Sequence, residues 1–200
     1  MPRSDEENSR IRELRRTSIL DISVAVFAKK GLGATRIADI AEAGDMSQGL
    51  IYRYFNNKEE IYQAIIERIQ SGTDQLAQQA LQQAGTPLEK LRWLLEVYTS
   101  YVWQRPHFAL LVEQALINEA MPEEMHAIAF KQVDMIVNTV HQLIIEGQKS
   151  HEIIEHDPGE LTAMVLACLS GLNAGATYIP QMLKISGQPD VELIVRIIKA

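Results

Sequence analysis

Along nearly the whole chain apolar residues recur at steps of three and four, and no run alternates between hairpin turns, so the pattern predicts an all-α protein. Ile19, Ile22, Val26 and Phe27 fall at i, i+3, i+7 and i+8, one apolar stripe on a first helix that Gly31 and Gly33 stop. Thr35 is placed to cap a short second helix over 35–43, where Ile37, Ile40 and Ala41 share one side and Asp39 and Glu42 another. Gly44-Asp45-Met46 breaks the pattern, and Ser47 caps a third helix of about two turns over 47–54.

Asn57-Lys58-Glu59-Glu60 pairs a capping side chain with a glutamate three residues on, and so opens a long helix over 57–84. The same start signal recurs at Thr86-Pro87-Leu88-Glu89 and at Asp157-Pro158-Gly159-Glu160, each with proline at the first helical position. With Pro106 and Pro122 as breakers, further helices are expected at 87–104, 106–118, 122–147, 158–179 and 189–199, and Ile179-Pro180 is expected to close the penultimate one. The chain divides near residue 60 into a head, 1–60, whose residues 1–9 are expected to form a loose tail, and a body, 61–200.

Two hundred residues, 46% of them hydrophobic and 22% charged, suffice for a buried core without metal or disulfide. One cysteine and no apolar leader lead us to expect a cytoplasmic protein, and the longest apolar stretch, 161–172, is too short for a bilayer. The net charge of −7 is uneven: residues 1–60 hold ten basic and ten acidic side chains, and residues 61–200 hold nine and sixteen. The head is therefore not electrostatically closed to a polyanion, although without a supporting motif a solvated helix face is the better account of its charges.

Two short helices joined by a tight turn form a unit suited to docking in a groove, a helix-turn-helix. Its second helix would lie in the major groove with Gln48, Leu50 and Arg53 as candidate readers: Gln48 matches adenine's edge, and Arg53 suits guanine or a phosphate. Thr35, Ser47, Tyr52, Tyr54 and Lys58 supply donors for phosphate oxygens, and Gly49 permits close approach of the backbone. Ile40, Ala41, Ile51 and Phe55 take the opposite side and pack on Phe27.

The order of residue types goes beyond periodicity. Residues 35–61, TRIADIAEAGDMSQGLIYRYFNNKEEI, closely resemble the DNA-binding signature of the TetR family of bacterial transcriptional regulators. The resemblance implies a three-helix DNA-binding head, a larger helical body that holds an effector pocket, and a homodimer formed through the last two long helices, here near 158–179 and 189–199. It also implies that Thr35, Ser47, Gln48, Gly49, Tyr52, Arg53, Tyr54 and Lys58 sit where family members contact DNA. Gly44-Asp45 departs from the family's usual Ala-Gly; aspartate tolerates the left-handed conformation such a turn requires, so an intact, slightly altered turn is expected.

In the body, helix 158–179 carries a stripe of small residues, Ala163, Ala167, Ser170, Gly171, Ala174 and Gly175, that suits close packing against a twofold partner. Trp93, Tyr98, Trp103, Phe108, Phe130, Met135, Met164 and Cys168 are candidates for an apolar effector pocket, with Gln114 and Asn173 to orient the ligand. No enzyme is expected: Cys168 lies in an apolar stripe, no nucleophile has an evident base, and the five histidines lack metal-ligand spacing. Neither metal nor cofactor is implied. The reading is a ligand-responsive repressor that binds a palindromic double-stranded DNA operator as a dimer and is released by a small, largely apolar effector. The alternative is a DNA-binding module controlled by a protein partner, with no small-molecule effector.

Overall fold

The computed structural model describes residues 5–119, 121–183 and 187–200, with side chains described from residue 6 onward except at 172–183. Among the described residues it is built of α-helices: α1 Asp5–Ala34, α2 Ile37–Ala43, α3 Gln48–Ile51, α4 Lys58–Gln82, α5 Pro87–Gln104, α6 Pro106–Ile117, α7 Glu123–Lys149, α8 Pro158–Leu183 and α9 Glu192–Ile198. No helix among the described residues is long and apolar enough to cross a membrane.

Helix α1 buries Ile19, Leu20, Val24 and Phe27. Residues 5–9, expected as a loose tail, instead form its first turns. The helical path breaks at Gly31, whose φ of 73° and ψ of 164° suit a residue without Cβ. That break turns the following backbone inward and corrects the expected cap of α2. Thr35 is 1% exposed and its hydroxyl donates to the Gly31 carbonyl at 2.7 Å. Arg36 takes the capping position, its N–H donating to Asp39 Oδ2 at 2.8 Å. The Lys30 ammonium donates to the other Asp39 oxygen at 2.7 Å; with the Arg36 N–H it holds that carboxyl below its ordinary range.

Local start signals place the longer helices. The Asn57 side chain accepts from the Glu60 N–H at 2.7 Å, Thr86 and Glu89 form a reciprocal capping box, and Asp157 accepts from the Glu160 N–H at 2.8 Å. The penultimate helix does not stop at Pro180. It continues to Leu183, since an interior proline removes one backbone bond without obliging the helix to end. The end of α9 is pinned to the segment after α7: the Ile154 N–H donates to the Ile198 carbonyl, and the Ala200 N–H to that of Glu152, both at 2.9 Å.

Two apolar cores result. The first joins α1, α2, α3 and the first half of α4 to Leu111, Val112 and Ala115 of α6 and to Met125 and Ala129 of α7, so it runs unbroken across residue 60. The second unites α5, the later part of α7, α8 and α9 around Leu91, Leu95, Val140, Leu143, Val165 and Val195. Buried polar side chains mark the interval between them: on α4 Thr73 lies between Ile69 of the first core and Ala80 of the second, and on α7 Gln132 lies between Ala129 and Ile136. On α5 Thr99 is buried one turn beyond Leu95.

Candidate nucleic-acid interface

The turn between α2 and α3 closes as a Schellman-type cap. The Met46 N–H donates to the Ala41 carbonyl at 2.9 Å and the Asp45 N–H to that of Glu42 at 3.2 Å, with Asp45 in the left-handed region at φ 48°. The departure from Ala-Gly thus keeps the turn and moves its demands. Gly44 has an ordinary φ of −100°, yet a Cβ there would stand 2.5 Å from Met46 Cε and 2.9 Å from Ile22 Cδ1. Its glycine answers crowding against α1.

Ser47 caps α3 by accepting from the Leu50 N–H at 3.2 Å, and its own proton stays available for donation. The α-helical part is a single turn, shorter than expected. After Ile51 the chain tightens into i→i−3 bonds, Arg53 N–H to Leu50 and Tyr54 N–H to Ile51, which brings Phe55 into the core beside Ile51. The outward side of this segment carries Ser47, Gln48, Gly49, Tyr52 and Arg53, all exposed, with Leu50 half-buried. Tyr54 is half-buried against the first core.

Two expected phosphate donors are placed differently. Thr35 is buried, as described. The Lys58 ammonium donates to the carbonyl oxygens of Leu32, Gly33 and Thr35 at 2.7, 2.9 and 3.0 Å, neutralising the carbonyl end of α1 where Gly31 has broken it. Its donors are spent on the protein.

Residues of α1 that carry no expected role stand beside this segment. Arg15 and Ser18 line a groove with Asp45, Met46, Ser47 and Leu50, and the Arg16 guanidinium lies 5.1 Å from the Phe55 ring centroid. The signal in the sequence was the run Arg12, Arg15, Arg16 at helical spacing.

The expected pocket residues do not form one cluster. Trp93, Tyr98, Met164 and Cys168 pack against the second core, whereas Phe108 packs against the first, under the Arg68 guanidinium at 5.5 Å. Trp103 and Met135 are half-buried, and the Gln114 amide reaches the Ala28 carbonyl at 3.5 Å. Phe130 is 59% exposed on α7 and does not face the interior, because periodicity marks an apolar position without saying which face is covered. The side chains of Asn173 and Ala174 lie outside the described residues. Sequence reading missed Thr99 and Gln132, both buried, with Thr99 Oγ1 and Gln132 Oε1 lacking a hydrogen-bond partner among the described residues. The spacing of Thr99 between Leu95 and Val102 on a buried face was the available signal.

Residues 19–65 match the family model described as "Bacterial regulatory proteins, tetR family". The HTH-type transcriptional regulator TtgR of Pseudomonas putida is 39% identical over 62 residues, covering 31% of this chain and 30% of TtgR. Matches to such curated relatives thus span about a third to a half of their length. The MbdR regulator from Azoarcus sp. CIB has the same fold over 92% of this chain and 96% of its own, with a TM-score of 0.78 at 21% identity. AibR, solved in complex with isovaleryl coenzyme A and operator DNA, matches 91% of this chain and 94% of its own with a TM-score of 0.68 at 19% identity.

Proposed function

We propose that this chain, which belongs through its head to the TetR family of bacterial transcriptional regulators, is a repressor that binds a palindromic operator as a dimer and is released by a small, largely apolar effector. One observation carries the reading. The left-handed Asp45 and the Ser47 cap aim a stubby α3 outward, and Gln48, Tyr52 and Arg53 stand exposed on it while Ile51 and Phe55 anchor it from beneath. Gln48 has the donor and acceptor to read an adenine edge; Ser47 and Tyr52 supply hydroxyls, and Arg53 a guanidinium, to the backbone. Thr35 and Lys58 support the head from within.

Pairing through α8 and α9 is supported by apolar surface that one protomer leaves open. Leu193 and Ile197, one turn apart on α9, are 65% and 54% exposed, and Ala163, Ala167, Ser170 and Gly171 form an exposed small-residue stripe on α8. A twofold assembly presents two copies of α3, as a palindrome requires. The effector site is supported by the interval between the two cores, where Thr99 and Gln132 offer polar atoms without a partner among the described residues, within apolar surroundings. AibR, with the same fold, was solved with isovaleryl coenzyme A and operator DNA. Release follows if the effector prefers a different head spacing; about 1–3 kcal/mol of coupling changes operator affinity about 5- to 150-fold.

Selection of bound duplexes from genomic fragments tests this. The expected product is a palindrome with half-sites about one helical turn apart, and Gln48→Ala is expected to relax its base preference. Absence of any enriched duplex at low ionic strength would overturn the reading. A lipophilic compound that raises the melting temperature and weakens the recovered complex establishes the effector, whereas failure across a broad library returns control to a protein partner.

A further inference from the structure

Helix α1 buries no described side chain before Ile19, and beyond the residues that touch the head its outer stretch, residues 5–14, stands largely exposed as an arm roughly 15 Å long. Helices contribute to stability chiefly through a packed face, and this stretch has little of one. Between Asn8 and Arg16, the residues Asn8, Arg12, Arg15 and Arg16 fall within about 100° of one another around the helix, and Glu13 lies outside that sector, as does Arg10.

The sector continues the exposed surface of α3. Arg16 is fixed over Phe55, directly after the α3 segment, which sets the rotation of the arm. That rotation places Arg15 and Ser18 along the groove whose other wall is Asp45, Met46, Ser47 and Leu50. Arg12 follows one turn further out, exposed like Arg15, and neither makes an ion pair among the described residues. The groove therefore offers a guanidinium and two hydroxyls in a concavity adjoining the N-terminal end of α3, with Asp45 the one acid on its rim. A planar fork beside hydroxyl donors suits a phosphodiester better than a base edge.

We propose that Arg15, with Ser18 and Ser47, seats one phosphate of the DNA backbone, and that Arg12 engages the strand beyond it, so the arm of α1 extends the duplex contact past the helix-turn-helix. The inference rests on the DNA-binding reading above and adds to it a clamp that positions without specifying sequence.

The test is the salt dependence of binding to a mixed-sequence DNA duplex, measured by fluorescence anisotropy. Arg15→Gln is expected to lower the slope of log K against log salt by about 1, and Arg12→Gln with Arg15→Gln by about 2, with similar losses on every sequence. Lys131→Gln, an exposed site on α7 with the same change in charge, controls for net charge and is expected to leave the slope alone. Neither arginine packs in a core, so melting temperatures are expected to match the parent. A slope in the double variant equal to that of Lys131→Gln overturns the clamp while leaving the regulator reading intact, provided Gln48→Ala still relaxes base preference. If the unaltered protein binds no duplex, both fall together.

Discussion

The Lys58 ammonium stands 2.7 Å from the carbonyl oxygen of Leu32, bridging the start of α4 to the broken end of α1. Two more carbonyls complete the contact, so Lys58→Ala strips donors from three acceptors at once, those of buried Leu32 and Thr35 and of exposed Gly33. We expect a loss of about 1–2 kcal/mol in urea denaturation, discounted from the usual strength of charged hydrogen bonds because water reaches the site. The salt slope of DNA binding should stay that of the parent. A fall of about 1 would make Lys58 a phosphate ligand after all.

Tyr62 is fully buried and its hydroxyl donates to the Leu111 carbonyl at 2.8 Å, tying α4 to α6. Burial raises its pKa above the ordinary value of 10.0. A group whose pKa is raised on folding contributes stability that is whole below the unfolded value and is lost as pH climbs toward the folded one. The native protein should therefore weaken above about pH 10. Tyr62→Phe should cost about 0.5–1.5 kcal/mol at neutral pH and flatten that alkaline decline; an unchanged decline would exclude Tyr62 as its source.

At the turn, Asp45 carries the left-handed backbone and Gly44 the crowding. Asp45→Val, β-branched, should destabilise the head by about 1–2 kcal/mol, whereas Asp45→Gly should stay within about 0.5 kcal/mol of the parent. Gly44→Ala must displace the tips of Met46 and Ile22, at a cost of about 1–2 kcal/mol. Thermal melts decide this. Equal tolerance of valine and glycine at 45 would contradict the positive φ.

On the proposed dimer face, Leu193→Asp removes apolar area and sets a carboxylate where a partner would press. Sedimentation should show association weakened about 100-fold or more, with loss of the tight complex on a two-half-site duplex. A variant that remains dimeric would place the twofold contact elsewhere.

Elements announced by local chemistry were legible from the sequence. Asn57, Thr86 and Asp157 each cap within three residues of themselves, so the signal and the structure occupy one short window. What escaped was set at long range. Thr35 turned inward because Gly31 bent the chain, and Lys58 found its acceptors some 26 residues away, where composition shows only a basic side chain before a helix. Phe130 and Thr99 sit on helices whose period was read correctly, but which side of each helix is covered depends on neighbours that periodicity does not specify. The α3 segment was located by its cap and turn, and its length was not, since the tightening after Ile51 answers the need to seat Phe55.

Because Leu111, Val112 and Ala115 of α6 and Met125 and Ala129 of α7 floor the same apolar cluster as Ile19, Phe27 and Ile51, the head is unfinished without its body. A protease nick or truncation that freed residues 1–60 would release a piece with its underside bare, prone to clump. For the same reason a shift of α6 or α7 by an ångström has no slack in which to dissipate. It is expected to reappear as tilt of the outward face of α3.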